Sequence, residues 1–263
     1  METQQDPLIK FEVDKGVAFI TLNRPDVLNS FNREMAMALQ KALDNCATNK
    51  DIRAVYLTGE GRAFCAGQDL AEAISKDGPE LQSIVREHYN PIIEKIRALE
   101  KPVVCAVNGV AAGAGANIAL ACDIVFAAES ASFIQAFSKI GLIPDSGGTY
   151  FLPRLIGLQR ATALMMLGDK VKAQDAVQMG MIYKAVPDNE LHEQAKKTAH
   201  HLATMPTLGL GLTKRALNLS LSNALTIQLK VEEELQAQAG KSYDYNEGIN
   251  AFLEKRQPQF KGE

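Results

Sequence analysis

Apolar residues in the first part of the chain alternate between runs typical of strands and spacings typical of helices. The run at residues 17–22 predicts a strand, which the turn-forming residues 23–26 end. Apolar residues at helical spacing predict a helix over residues 31–43, with Asn32 as its candidate N-cap. A second strand is predicted at residues 54–58. This order is typical of an α/β protein.

The middle of the chain continues the alternation. Residues 80–99 show helical spacing, and the polar stretch before them, residues 75–79, is expected to be mobile. Apolar runs predict three further strands, at residues 102–107, 123–128 and 131–135. The whole segment therefore extends the α/β body.

Beyond Gly147 the pattern becomes almost wholly helical, with one short strand predicted at residues 183–186. Three tail helices are predicted, at residues 207–219, 221–238 and 243–255. The pattern therefore predicts an α/β body in residues 1–195, followed by an all-helical module in residues 196–263.

Composition and charge narrow the classes of function. With 46% apolar and 22% charged residues, the chain is typical of a soluble globular protein. A net charge of −3 without a stripe of Lys and Arg argues against a nucleic-acid partner. The longest apolar stretch, residues 103–128, contains polar residues and three glycines, so no membrane span is predicted. The polar start, residues 1–6, and four cysteines without a C-x-x-C pair favour a reduced, cytoplasmic protein.

Two glycine-bearing segments, residues 63–70 and 108–117, carry the main candidate chemistry. Each follows a predicted strand and opens into helix-compatible sequence, so each leaves main-chain N–H groups at the positive end of a helix dipole. Two such turns brought together hold a developing oxyanion. A nucleotide site is disfavoured, because the glycines match neither the dinucleotide nor the phosphate-loop pattern. Tight packing of helix against strand is an alternative explanation that stays open.

Asp145 is the candidate acid–base residue. It lies between an aliphatic run and a glycine-rich helix start, where desolvation raises a carboxyl pKa. An N-cap role before Ser-Gly-Gly-Thr explains the residue equally well. The histidines are weaker candidates, with His88 expected on a helix face and His192, His200 and His201 expected in solvent. Neither a Ser/His/Asp set nor a metal-ligand cluster emerges.

Four motifs resemble the enoyl-CoA hydratase/isomerase (crotonase) superfamily. They are AGQDL at residues 66–70, NGVAAG at 108–113, ACDI at 121–124 and GLIPxxGG at 141–148. The resemblance runs nearly from end to end of the chain. It implies an α/β fold with a ββα spiral core and a C-terminal helical module. It also implies an acyl-CoA substrate that brings its own coenzyme A, no separate cofactor, and a homotrimer or dimer of trimers.

The resemblance further implies which residues form the site. In that superfamily two main-chain N–H groups hold the thioester carbonyl, and the matching positions are Ala66 and Ala114, with Asp145 as the catalytic carboxyl. The implied substrate and coenzyme A contacts are Leu28, Ala63, Ala66, Gln68, Asp69, Leu70, Gly113, Asn117, Phe137, Ile140, Phe252 and Lys255. No metal is implied.

The same resemblance separates the possible reactions. Hydratases of the superfamily activate water with two glutamates, which fall here on Asn117 and Phe137, so an isomerase is implied instead. Asp145 matches isomerase-type and dehalogenase-type members, and the absence of tryptophan weakens the dehalogenase alternative. The strongest resemblance is to members that isomerise ring-1,2-epoxyphenylacetyl-CoA in bacterial phenylacetate degradation. It is carried by residues 89–91, 105–116 and 136–145.

A mechanism with one base is implied. Asp145 is expected to take the proton alpha to the thioester and to return it farther along the conjugated system. Phe137 and Ile140 are expected to exclude water and raise the pKa of Asp145. A general Δ3,Δ2-enoyl-CoA isomerase is the main alternative. A hydratase and a non-catalytic RNA-binding or scaffold homologue are weaker ones.

Overall fold

The computed structural model describes residues 7–75 and 78–263 of the chain. The polar start at residues 1–6 lies outside the described residues, as do residues 76–77 of the stretch expected to be mobile. Within the described part, no helix is both long enough and apolar enough to cross a membrane.

Ten strands occur in the described residues, and they form two sheets. In chain order they are β1 (Ile9–Asp14), β2 (Val17–Leu22), β3 (Ala54–Gly59), β4 (Ala63–Cys65), β5 (Val103–Val107), β6 (Val110–Ala112), β7 (Ile124–Ala128), β8 (Ser132–Ile134), β9 (Lys170–Lys172) and β10 (Lys184–Val186). The larger sheet has the order β1-β2-β3-β5-β7-β10 and is antiparallel only at β1–β2. The smaller sheet has the order β4-β6-β8-β9 and is antiparallel only at β8–β9.

The strands predicted from the larger apolar runs are confirmed, with small differences at their ends. Strands β4 and β6 escape prediction because they lie within the glycine-bearing segments interpreted as turns, and β9, with sequence KVK, has a single apolar residue. Strand β1 also escapes, although its sequence IKFEVD alternates as a half-buried strand does. It pairs antiparallel with β2 through a two-residue turn that contains Gly16.

The helices of the described residues lie mainly around these sheets. They are α1 (Arg33–Thr48), α2 (Leu70–Ala73), α3 (Leu81–Ser83), α4 (Asn90–Ala98), α5 (Ala114–Ala121), α6 (Gly148–Ile156), α7 (Leu158–Leu167), α8 (Ala173–Gln178), α9 (Leu191–Thr204), α10 (Thr207–Ser220), α11 (Leu225–Ala239) and α12 (Tyr243–Leu253). Asn32 caps α1 as predicted, its side chain accepting from the Met35 amide. The single helix expected over residues 80–99 is instead α3, a π-helical turn at Ile84–Tyr89, and α4.

The core lies where helices and the smaller sheet meet β3 and β5, whose residues are all buried. Helix α9 packs against β3, β5 and β7, and β4 contacts β3 and β5. Parallel strands covered in this way are apolar along their whole length. The four cysteines are buried, free thiols, as expected.

The boundary predicted between residues 195 and 196 falls inside α9. Because α9 contributes Ala195 and Ala199 to the core, it is part of the body rather than of the tail. Helices α10, α11 and α12 follow it and match the three predicted tail helices. The division of the chain into two domains stays a prediction.

The residues after α12 fold back onto the body. The Arg53 guanidinium, just before β3, donates to the Phe260 carbonyl at 2.9 Å and to the Thr207 hydroxyl at 2.8 Å. The buried carboxylate of Asp244 accepts from the Gly262 amide at 2.8 Å. These bonds tie the tail to the start of a central strand.

A buried ion cluster also joins the tail to the body. Asp123 accepts from the Lys214 ammonium of α10 at 2.7 Å and from the Arg97 guanidinium of α4 at 3.0 Å. It also accepts from the Val103 amide at 2.8 Å. Burial lowers the pKa of Lys214, and the nearby charge of Asp123 opposes that shift. Lys214 is only 6% exposed, so its charge depends on this partner.

We therefore expect Asp123→Ala to lower the free energy of unfolding by about 3–5 kcal/mol, because it leaves a buried ammonium without its counter-ion. Urea unfolding at pH 7 measures the change. Glu100→Ala is the matched control, since Glu100 pairs with Arg215 of α10 but both side chains are 43% exposed. That variant should lose only about 0–1 kcal/mol. Equal losses for the two variants would contradict the importance of the buried cluster.

Candidate active site

The two glycine-bearing segments lie side by side because β4 and β6 pair in parallel, with Ala63 opposite Val110. Parallel strands end at the same edge of a sheet, so the loop after β4 adjoins the start of α5 after β6. A Cβ placed on Gly67 would lie 3.6 Å from the Ala114 nitrogen. The two turns therefore come together as an oxyanion site requires.

The first of the two assigned donors needs correction. The Ala66 amide donates to the Leu28 carbonyl at 3.0 Å, so it is not available to a substrate. The Gln68 amide, by contrast, has no acceptor among the described residues. Gly67 between them has a φ of 95°, a left-handed conformation that glycine adopts readily. Gln68 thus offers the main-chain donor of this loop.

Ala114, the other residue assigned as a donor, lies at the start of a helix. It is the first residue of α5, and the first N–H groups of a helix have no acceptor within the helix. Gly113 precedes it with a φ of 53°, a left-handed conformation that glycine adopts readily. All residues of α5 are buried, so the positive end of its dipole acts in a weakly screened environment.

Asp145 is a half-buried carboxyl and not a helix cap. Helix α6 has Gly147 as its N-cap without a side-chain cap, so the N-cap alternative is wrong. Burial raises the pKa of the Asp145 carboxyl, while the hydrogen bond from the Ser146 hydroxyl at 2.8 Å opposes the rise. A raised pKa makes a carboxyl better suited to take and return a proton.

Two buried amide side chains hold the main chain of Asp145. The Asn117 side-chain NH₂ donates to the Asp145 carbonyl at 2.8 Å. Its oxygen accepts from the Gln135 side-chain NH₂, also at 2.8 Å, which fixes the orientation of the Asn117 amide. Asn117 is 1% exposed and Gln135 is 4% exposed. The Asn117 amide is therefore engaged by Asp145 and Gln135, so its assigned contact with substrate is not supported by this geometry.

The bond from Asn117 also explains where the main chain of Asp145 lies relative to α5. Asn117 is three residues after Ala114 on α5, so the two lie on one face about one helical turn apart. Gly148 allows the close approach, since a Cβ there would lie 2.4 Å from the Asn117 side-chain nitrogen. Asp145 is thus held one turn along α5 from the amide of Ala114.

Phe137 and Ile140, both expected to exclude water, differ in their exposure to solvent. Both lie in a 3₁₀ helix at Ala136–Ile140. Phe137 is 6% exposed, and its ring would lie 3.7 Å from a Cβ placed on Gly113, so it covers the start of α5. Ile140 is 55% exposed, so within this chain it does not shield Asp145.

The other residues assigned to coenzyme A have mixed environments. Leu28 is half-buried and Leu70 is 55% exposed, so both are accessible. Ala63 is 1% exposed, and its side chain cannot contact a ligand. The Asp69 carboxylate caps α2 and pairs with Arg24 at 2.9 Å, so it fixes the loop rather than binding a substrate.

Phe252 and Lys255 lie away from these residues. Phe252 is 83% exposed and lines a groove with Pro206 and Phe260, and Lys255 is exposed after α12. Among the described residues, no hydrogen bond joins either side chain to Asp145 or to the loop after β4. Their contact with coenzyme A stays a prediction.

Two buried residues of the π-helical turn escape prediction from the sequence. His88, expected on a helix face, is fully buried, and burial lowers its pKa. Tyr89 is 1% exposed, and its hydroxyl donates to the Gln68 side-chain oxygen at 2.7 Å. A π-helical turn shifts the register of side chains, so a uniform period of 3.6 places both residues wrongly.

The raised pKa of Asp145 has a consequence for stability. The fold favours the neutral form, so stability is lost as pH rises through the folded pKa and the carboxyl ionises. Asp145→Asn stays neutral, so we expect it to be more stable than wild type at pH 7. The difference should vanish as pH falls below the ordinary pKa of Asp, about 3.9. Urea unfolding across this range, with the exposed Asp175→Asn as control, measures it. A less stable Asp145→Asn at pH 7 would contradict the environment described.

We expect Asn117→Leu to lower the free energy of unfolding by about 1–3 kcal/mol, because the Asp145 carbonyl and the Gln135 amide both lose a buried partner. The variant should also lower kcat, since the segment that carries Asp145 is released. Gln135→Leu is the comparison, because it leaves the bond from Asn117 to Asp145 in place. Equal effects of the two variants on kcat would count against a role for Asn117 in holding Asp145.

This chain is similar in sequence and in fold to known proteins. The enoyl-CoA hydratase/isomerase family model matches residues 12–263. The 1,2-epoxyphenylacetyl-CoA isomerase of Escherichia coli K12 is 52% identical over 253 residues, which are 95% of this chain and 97% of the relative. A Rhodobacter capsulatus protein named a probable enoyl-CoA hydratase is 46% identical, over 97% of this chain and 98% of its own. The crystal structure of an enoyl-CoA hydratase from Bacillus anthracis superposes with a TM-score of 0.91 at 35% identity, over 97% of this chain and all of that one. The chain therefore belongs to the enoyl-CoA hydratase/isomerase family.

Proposed function

We propose that this protein is an acyl-CoA isomerase that converts ring-1,2-epoxyphenylacetyl-CoA to its oxepin-CoA isomer. The observation that carries the reaction class is Asp145, a half-buried carboxyl of raised pKa held one helical turn from the Ala114 amide. The substrate is supported by the 52% identity to the Escherichia coli isomerase over nearly all of both chains.

In this proposal the main-chain amides of Gln68 and Ala114 hold the thioester oxygen. Negative charge grows on that oxygen as the substrate becomes a dienolate. Hydrogen bonds to it therefore strengthen in the transition state and lower the barrier. The positive end of the α5 dipole adds to the two donors. Phe137 covers the start of α5 and keeps water from competing for these donors.

Asp145 moves a single proton. The fused arene epoxide opens to a seven-membered oxepin without gain or loss of atoms. The carboxylate takes a proton from the carbon alpha to the thioester, and the electron pair of that C–H bond passes into the dienolate. The carboxyl then returns the proton to a ring carbon farther along the conjugated system. Substrate and product have the same composition, so the step needs neither a cofactor nor a second substrate.

A hydratase reaction is less well supported. The positions that carry the water-activating glutamates in hydratases of the family hold Asn117 and Phe137 here. The Asn117 amide is engaged by Asp145 and Gln135, and Phe137 is apolar and buried. Neither side chain can act as a general base or acid toward water.

The same single base suits a second substrate class. Moving a β,γ double bond of an open-chain enoyl-CoA into conjugation also requires loss of the α-proton and its return to a distant carbon. The described site has no polar group beyond Asp145 dedicated to an aromatic epoxide. A general Δ3,Δ2-enoyl-CoA isomerase therefore stays the second candidate function.

The cellular context is part of the proposal. A cytoplasmic homotrimer, or a dimer of trimers, is consistent with the family and with the buried, free thiols. The exposed apolar side chains of Leu142 and Ile143, just before Asp145, are suited to contact between subunits. A net charge of −3 without a basic stripe argues against a nucleic-acid partner.

Purified protein assayed with ring-1,2-epoxyphenylacetyl-CoA beside 3-hexenoyl-CoA tests the function. We expect turnover of the first to exceed that of the second. Asp145→Asn should retain binding of both acyl-CoAs but lose α-proton exchange with deuterated solvent, measured by mass spectrometry. Asp175→Asn, an exposed carboxylate outside the site, is the control and should exchange normally.

Greater turnover of 3-hexenoyl-CoA would favour the second candidate function. Undiminished exchange in Asp145→Asn would exclude this residue as the base. A protein that shifts RNA in a gel but turns over neither acyl-CoA would be a binding protein of the same fold.

A further inference from the structure

Tyr89 is a buried tyrosine that the proposed proton transfer does not use. It ends the π-helical turn Ile84–Tyr89 and is 1% exposed. Its hydroxyl donates to the Gln68 side-chain oxygen at 2.7 Å. Burial raises the pKa of this hydroxyl well above its ordinary value, and the charge of Asp145 adds to the rise. The hydroxyl therefore stays protonated and keeps its role as a donor.

The Gln68 side chain is held at both ends. Its NH₂ group donates to the Glu72 carboxylate at 3.1 Å and to the Asp69 carbonyl at 3.3 Å. A carboxylate accepts but does not donate, so the NH₂ group must face Glu72 and the oxygen must face Tyr89. The Glu72 carboxylate in turn accepts from the Arg33 amide at the start of α1 at 2.9 Å.

Phe31 bonds to the main chain on both sides of Gln68. The Gly67 carbonyl accepts from the Phe31 amide at 2.7 Å, and the Asp69 amide donates to the Phe31 carbonyl at 2.8 Å. The first of these bonds also orients the Gln68 amide, because the Gly67 carbonyl and the Gln68 N–H belong to one planar peptide group. The Phe31 ring meets the Tyr89 ring edge to face, with centroids 6.0 Å apart. Tyr89 thus contacts both Phe31, which bonds to the main chain on either side of Gln68, and the Gln68 side chain itself.

We propose that Tyr89 is a positioning residue whose hydroxyl, through the Gln68 side chain, keeps the Gln68 main-chain amide directed at the thioester oxygen. The inference rests on the proposed function, because it assigns the Gln68 amide to the oxyanion. A donor fixed before the reaction stabilises developing charge without a cost of reorientation during the step. The π-helical turn is the local feature that supplies this contact, since such turns redirect side chains at functional sites.

Tyr89→Phe is the test, because it removes one oxygen and keeps the ring packed against Phe31. We expect kcat on the preferred acyl-CoA to fall about tenfold, the effect of one lost hydrogen bond, with KM nearly unchanged. Tyr56→Phe is the matched control. Tyr56 is also 1% exposed, but its hydroxyl pairs with His192 at 2.6 Å, outside the site. It should leave kcat at the wild-type value, and thermal unfolding of each variant checks that it is folded.

A double-mutant cycle with Gln68→Met separates positioning from direct contact. Gln68→Met removes the carboxamide but keeps the main-chain amide and the length of the side chain. If Tyr89 acts through Gln68, the variant that combines both changes should have the kcat of Gln68→Met alone. Additive losses would show that Tyr89 acts on the substrate itself and would overturn the inference, as would a Tyr89→Phe variant with wild-type kcat.

Acetoacetyl-CoA provides a second readout that does not depend on turnover. Its enolate absorbs in the ultraviolet, and donors at the thioester oxygen promote its ionisation on binding. Wild-type protein should bind it with the enolate band, and Tyr89→Phe should bind it with a weaker band, whereas Tyr56→Phe should match wild type. A wild-type enolate band without turnover of either acyl-CoA would contradict the proposed function alone. An undiminished band in Tyr89→Phe would contradict the role of Tyr89.

Discussion

Close approach of main chains around β4 is the constraint on which the site depends. A Cβ on Gly115 would lie 2.4 Å from the Cys65 carbonyl oxygen, and one on Gly109 would lie 2.2 Å from that of Arg62. Real Cβ atoms do not come so near, so glycine at both positions lets β4 lie against β6 and α5 at once. The end of β4 and the start of α5 then present amides to one ligand atom. Larger residues would move the two donors apart before they affected any catalytic side chain.

Neutral groups surround the single carboxyl. Asn117 donates to its main-chain carbonyl, Gln135 donates to Asn117, and Ser146 donates to its side chain; none of the three carries a charge. A cation in their place would favour the ionised form and lower the pKa of Asp145. These hydrogen bonds thus hold Asp145 in position, while desolvation is the main cause of the raised pKa of its carboxyl. This environment is compatible with the proton transfer proposed for Asp145.

The sequence predicts much of the fold and part of the site. The apolar runs of the larger sheet, the Asn32 cap and the tail helices follow from local patterns, and all are present. The choice between Ala66 and Gln68 as donor could not be predicted, because it depends on a bond from Ala66 to the distant Leu28 carbonyl. The burial of Tyr89 could not be predicted from a regular helical period, because the π-helical turn changes the register of its side chains.

Asn117 illustrates a different limit. Its type and position indicate a polar residue near the reacting atoms, and it does lie near Asp145. Whether such an amide faces a ligand or a neighbouring carbonyl is decided by packing between α5 and the segment before α6, which no local pattern records. Short strands of the smaller sheet were missed for the same reason, since pairing with neighbours rather than periodicity defines them.

The bonds of Arg53 join two parts of the chain that are synthesised far apart in time. The Phe260 carbonyl lies 207 residues after this guanidinium, which stands at the entrance to a fully buried strand. Contacts of such large sequence separation require closure of a long loop and form late. Arg53 therefore gains this acceptor only after the chain has been synthesised as far as residue 260, so one anchor of the entrance to β3 depends on a segment made much later.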